Sequence, residues 1–213
     1  MYLQADIDGA LRGIGDQIIA NPDLTHHVQL FDGVLSPFNV KVRRGFNRAV
    51  KNPVVYGYYE FMADEAYVVM KKQRGHEVTP ITKETLPNYL FNISCTAQHE
   101  LLHKYQWLHR DPDLYESRVY TFKTNNKHHQ YLGNLDEIET HAHDLAMEIK
   151  FFYPTHDPYE VLHGYFRYAR KYNKLSSLNF YASVYGMTSG NPVMKRFLKK
   201  TTLWLNSVEV NLS

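Results

Sequence analysis

Cysteine is almost absent from this chain. Cys95 is the single one in 213 residues, so no intramolecular disulfide can form and a disulfide framework is excluded. One thiol fits a reducing compartment. An excess of either charge is also missing. The 24 Lys and Arg stand against 22 Asp and Glu, a formal +2 at pH 7, which gives no electrostatic basis for binding nucleic acid. No apolar stretch approaches the ~18 residues that would suggest a membrane span. The opening residues, MYLQADIDGALRG, place acids early and lack a basic region followed by an apolar run. No signal peptide is therefore expected, and the protein is expected in the cytoplasm with no membrane partner. Internal repeats and low-complexity tracts are absent as well.

What the chain does have is histidine and tyrosine, 12 and 17 of them, within a composition that is 44% hydrophobic and 14% aromatic. That length and apolar content suit a single domain with its own core, spanning residues 1–213. Apolar residues at Leu3, Ile7, Leu11, Ile14 and Ile18 predict an amphipathic helix ended by Asn21-Pro22. Val28 to Val42, with turn signals at Asp32-Gly33 and Ser36-Pro37, reads as short strands. Val54–Phe61 and Ala66–Met70 are rich in Val and Tyr and predict an antiparallel hairpin closed by Gly75. Thr85 to Leu108 reads as a long helix, with Thr85 as a plausible N-cap and Pro87 in its first turn. Residues 111–134 look irregular. Helices are then predicted from Asn134 or Asp136 to about Lys150, from Tyr159 to Tyr172, and from Val193 to Leu205, the last following a loop at Gly186–Pro192. The chain thus divides into a sheet-rich part, about 25–80, and a helical part, about 85–208.

The chemistry lies in the long helix. Residues 99–103 read His-Glu-Leu-Leu-His, an HExxH pattern with no Pro or Gly inside it. On a helix, positions i and i+4 lie one turn apart on one face, so His99 and His103 can bind one zinc ion. Glu100 points to another side, from which it can act as a general base toward the water that a metal activates. The bland alternative is a solvated His-Glu-His face.

A zinc site of this kind needs a third protein ligand. One source is the helix carrying Leu135, Ile138, Ala142, Leu145 and Ile149 as its apolar stripe. At ~100° per residue, Glu139 and His143 lie along the edge of that stripe, while Glu137 points further away. Glu139 is the candidate ligand, and His143, one turn on, is a candidate to orient a ligand. The other source is His109, in the spacing HExxHxxQxxH. This resembles the metzincin pattern HExxHxxGxxH, with Met187 in the place of that family's Met-turn. Gln106 departs from it. Glycine reaches the left-handed conformations that break the helix there, and glutamine does not. If the helix continues, His109 stands about 9 Å along the axis from His103 and points elsewhere.

The His-Glu-Leu-Leu-His-x-x-Gln segment, followed by Asp-Glu-Ile-Glu-x-x-Ala at 136–142, resembles the gluzincins, zinc peptidases with HExxH on one helix and a Glu on a later one. It is also similar to small predicted peptidases of the kind found in phages and bacteria. The resemblance covers roughly residues 90–150. It implies an α+β zincin-like fold, zinc as cofactor, His99, His103 and Glu139 as ligands, and Glu100 as the base. The reaction it implies is endopeptidase hydrolysis of a peptide or protein substrate. Where the family places an orienting acid four residues after the Glu, this chain has His143.

The oxyanion of such a reaction needs a donor, for which Tyr131, His141, Tyr181 and Tyr185 are candidates. Cys95 reads as a small buried hydrophobe, His26-His27 and His128-His129 as loop residues, and Lys195, Arg196, Lys199 and Lys200 as a solvated basic face. The rival class is a non-catalytic phage, virion or assembly protein with a zincin-like fold and a structural zinc closed by four protein ligands.

Overall fold

The computed structural model describes residues 3–47, 54–73, 79–109, 126–187, 190–210 and 212. The fold is α+β. It divides into two compact units, Met1–Trp107 with Val210–Ser213, and Leu108–Glu209.

The first unit begins with α1 (Leu3–Arg12) and α2 (Gly15–Ala20), two helices where the apolar rhythm predicted one. Ile7, Leu11, Ile14 and Ile18 are buried as the rhythm requires. Helix α3 (Leu24–Leu35) replaces the short strands expected from residue 28. Its start is set by Asp23, whose side chain accepts from the Thr25 N–H. Leu24, His27, Phe31 and Leu35 form its buried face. The apparent turn signal Asp32-Gly33 lies on the exposed side of this helix. There Asp32 has another use: its carboxylate accepts the Val42 N–H at 2.9 Å and holds the next strand. His26 and His27 are therefore helical rather than loop residues. His27 is fully buried, with Nδ1 3.0 Å from the Tyr89 hydroxyl.

A 3₁₀ turn at Ser36–Phe38 leads into β1 (Val40–Asn47), and β2 (Val54–Glu60) and β3 (Glu65–Gln73) follow. The strand order is β1-β3-β2. The predicted hairpin forms, with β2 antiparallel to β3, and β1 joins the other edge of β3 in parallel. The closing Gly75 lies outside the described residues. Because side chains alternate across a strand, Val40 and Val42 share the buried face with Ala66, Val68 and Met70. In register with them on β2 are Val55, Gly57 and Tyr59.

Helix α4 (Leu86–Leu108) runs unbroken for 23 residues and buries Leu90, Ile93, Ala97 and Leu102. A buried polar relay joins it to α1. The Ser94 hydroxyl donates to Asp8 at 2.6 Å, and Gln98 Nε2 donates to Ser94 at 2.8 Å. Buried polar groups so paired fix the register of a helix. Cys95 is half-buried on this helix.

The second unit is helical: α5 (Lys127–Leu132), α6 (Leu135–Phe152), α7 (Pro158–Arg167), a 3₁₀ turn (Ala169–Tyr172), α8 (Ser176–Tyr185) and α9 (Pro192–Leu205). Helix α5 falls inside the stretch expected to be irregular, so His128 and His129 are helical. Asn126 caps it by accepting from the His128 N–H. Helix α6 starts at the predicted Asn134 cap, which accepts from the Asp136 N–H. It is the centre of this unit, packed by α5, α7, α8 and α9. Its burial extends well beyond one stripe, to Asp136, Thr140, His143, Asp144 and Glu148.

Glu148 shows how that centre handles a carboxyl. Helix α8 has no side-chain cap of its own. Both Glu148 oxygens accept from the Ser177 N–H at 3.2 Å, and the Ser176 and Ser177 hydroxyls donate to it as well. Burial, reinforced by Asp144 one turn away, pushes its carboxyl up to about 8 against an ordinary 4.5. The folded state then holds a proton that the unfolded chain has released. The contribution of Glu148 to stability is therefore full below pH 4.5 and declines as pH rises toward about 8. Glu148→Gln keeps an acceptor oxygen and removes the titration. Urea denaturation of this variant is expected to lack that decline; an unchanged slope would exclude Glu148 as its source.

Candidate metal centre

Within the first unit, the helical turn at 99–103 places two imidazoles together. His99 Nε2 and His103 Nε2 stand 3.2 Å apart, with ring centroids at 4.8 Å and planes at 74°. Two ~2.0–2.1 Å metal–nitrogen bonds at a tetrahedral angle separate their nitrogens by ~3.3 Å, so this pair has the spacing a zinc ion requires. Both histidines are half-buried.

Gln106 lies one turn further along the same face. Its Oε1 is 3.1 Å from His103 Nδ1. With that oxygen accepting from Nδ1–H, the lone pair of His103 is on Nε2, the atom turned toward His99. Sequence reasoning treated Gln106 only as a departure from a glycine-containing pattern. The i, i+3 spacing from His103 was the available signal. Because α4 continues through Gln106 to Leu108, no metzincin-type turn follows His103. His109 sits just past the helix end and is exposed.

Glu100 is buried, at 5% exposure. It leans over β2 at Gly57, where an added Cβ would stand 2.4 Å from its Oε1. Gly57 is the second residue that sequence reasoning missed, although a lone glycine in Val-Val-Tyr-Gly-Tyr-Tyr is a visible irregularity.

One residue past His103, Lys104 donates to both the backbone oxygen and the carboxylate of Asp64, at 3.1 and 2.9 Å. Asp64 lies at the hairpin tip with φ 53°, in the left-handed region, and accepts from the Tyr59 hydroxyl at 2.6 Å. That hydroxyl, followed by the Lys104 ammonium, holds the Asp64 carboxyl below the usual range. The β2–β3 turn is thereby fastened beside the HExxH segment.

Within the second unit, Glu139 is paired with Lys200 of α9, a member of the predicted basic face. Glu137, read from the sequence as pointing away, is the more enclosed of the two acids, with its side chain 14% exposed against 24% for Glu139. Its Oε2 is 3.8 Å from His141 Nε2, and His141 Nδ1 is 3.5 Å from Asp144 Oδ2. The His141 ring is ringed by Tyr131, Phe180 and Tyr181, with centroids 5.7–6.2 Å away. His143 is buried at 1% exposure, edge-on to Trp204 at 5.0 Å, with Nδ1 3.8 Å from Asp144.

The tyrosine candidates for an oxyanion donor separate clearly. Tyr181 is fully buried and stacked on Phe197, and its hydroxyl donates to the Leu132 carbonyl. Tyr185 donates to the His129 carbonyl at 2.7 Å. Both hydroxyls satisfy carbonyls of the short helix α5, and burial pushes Tyr185 up to about 12. Tyr131 is 46% exposed and His141 stands beside it.

No protein-family model matches the chain, and neither a curated protein nor a solved structure is significantly similar to it.

Asp64→Ala removes the two carboxylate contacts of the hairpin tip, to Lys104 and Tyr59, and puts in left-handed backbone a residue that tolerates it less well than Asp. The substitution is expected to lower Tm by roughly 2–8 °C, from about 1–2 kcal/mol lost chiefly with those two contacts. A Tm equal to wild type would show that the tip is not held through Asp64.

Proposed function

We propose that this chain is a zinc-dependent endopeptidase of zincin type, acting in the cytoplasm on a peptide or protein substrate. The observation that carries the reading is the convergence of His99 and His103 through their Nε2 atoms at 3.2 Å, with Glu100 between them in sequence and buried. Two imidazoles whose Nε2 atoms stand at the spacing of two zinc ligands, with a glutamine oxygen beside Nδ1 of one of them, form a donor set suited to zinc.

Zinc, when bound, supplies Lewis-acid chemistry: it acidifies water and polarises a scissile carbonyl. The chain supplies the rest. His99 and His103 hold the ion, and Gln106 orients His103. Glu100 takes a proton from the attacking water and returns it to the leaving amine. A low-dielectric surrounding keeps that carboxylate from being diluted by bulk water.

Two nitrogens do not complete a zinc site, and Glu139 is the third ligand proposed from the motif spacing. To serve, it has to exchange its ion pair with Lys200 for the metal. Elemental analysis of Glu139→Ala, Glu137→Ala and His109→Ala decides the assignment, since the variant that loses zinc names the ligand. Tyr131 and His141 remain the proposed oxyanion donors.

Wild type is expected to hold about one zinc per chain, and His99→Ala and His103→Ala to lose it. Glu100→Gln is expected to retain zinc while hydrolysis of a denatured protein substrate falls roughly 10²–10⁴-fold. Absence of zinc from wild type would overturn the reading. Zinc held without hydrolysis would move it to the structural-zinc class.

Removing the glutamine oxygen tests the orientation of His103. Gln106→Ala should weaken zinc affinity by about 10–100-fold with helix content unchanged. Affinity equal to wild type, measured by competition with a chelating dye, would exclude Gln106 from the site.

A further inference from the structure

Strand β2 is built from residues that favour strands: Val54, Val55, Tyr56, Tyr58 and Tyr59 surround Gly57. Glycine is a poor strand residue, because it loses more backbone freedom on folding and packs nothing. Its usual justifications do not apply here. Gly57 is not among the residues with positive φ, and the pairing of β2 with β3 runs continuously from Val54↔Lys71 to Glu60↔Glu65, with no bulge.

What the position lacks is room. Gly57 pairs with Val68 on the face that carries the core, and a Cβ built there meets Glu100 Oε1 at 2.4 Å, Cγ at 2.5 Å and Cδ at 2.8 Å. Three atoms of one side chain occupy the space a methyl group would need. The middle of the side chain is obstructed along with its tip, so rotation of the carboxylate alone cannot relieve the clash. Glu100 as a whole would have to swing away.

We infer that Gly57 is a positioning residue for Glu100: the bare backbone of β2 is the surface on which that carboxylate rests beside the His99–His103 pair. The consequence for catalysis depends on the peptidase reading proposed above; the spatial claim does not. A methyl group at 57 displaces the carboxyl group by a distance on the order of 1 Å or more, enough to cost proton transfer about 100-fold. The ligand histidines, on another face of α4, are left in place.

Four proteins carry the test: wild type, Gly57→Ala, Glu100→Ala and the double variant, compared at matched zinc content. Gly57→Ala alone is expected to lower Tm by roughly 2–10 °C through overpacking. In the Glu100→Ala background the same change is expected to leave Tm unchanged or raise it, because the space is then empty and alanine is the better strand residue. In kinetics, Gly57→Ala should retain zinc, lower kcat by roughly 10–100-fold and shift the acidic limb of the kcat–pH profile, with KM little changed. A purely structural role would not move that limb.

An equal loss of Tm in both backgrounds would overturn the inference. So would wild-type kcat in Gly57→Ala alongside an inactive Glu100→Ala. If wild type hydrolyses no peptide, the peptidase reading falls by itself and the Tm cycle alone decides whether Gly57 makes room for Glu100.

Discussion

Helix α4 has to stay helical from Leu86 to Leu108 for anything proposed about this protein to hold. One turn of it separates His99 from His103, and that spacing alone brings two Nε2 atoms to 3.2 Å. The helix is restrained along its length. Near its middle, Ser94 is tied to Asp8 and in turn accepts from Gln98, and further along Lys104 is tied to the hairpin tip at Asp64. Between those ties, Glu100 meets the strand at Gly57. Rigid elements hold reacting groups more accurately than loops do, and here helix and sheet constrain the same short segment from two sides.

Gln106 illustrates how a single residue decides between two site designs. A glycine there would permit the chain to leave the helix and bring a later histidine back. Glutamine continues the helix and instead places its own side-chain oxygen on His103. The residue that removes His109 from the turn geometry therefore stands as a hydrogen-bond partner to His103 Nδ1. In the second unit, α6 is enclosed by four other helices, and its acids are partnered locally: Glu139 with Lys200, Glu148 with the start of α8. Carboxyl groups in such a setting are held by specific donors, because a buried polar group without a partner is costly.

Much of the secondary structure was legible in the sequence because its signals were local. Richness in Val and Tyr marked β2 and β3, Asn134 marked the start of α6, and the last helix, expected from Val193, begins one residue earlier as α9. The reading failed where a local signal had a distant purpose. Asp32 looks like a turn residue next to Gly33, yet it sits in α3 and binds the Val42 N–H ten residues away. His27 looks like half of a solvated pair, yet it is buried against Tyr89. The parallel partnership of β1 and β3 has no signature in either segment, since strand order is set by packing across the sheet.

By itself the sequence determined the pairing within the HExxH pattern: His99 and His103 share a helical face because 3.6 residues make a turn, and no tertiary contact is needed to bring them together. It also determined the α+β class and the position of the helix that carries them. Tertiary structure alone decided what surrounds that pattern. That Glu100 is buried and that Gly57 leaves it space follow from how side chains fill volume. Volume is a property of residues far apart in the chain, which periodicity does not encode.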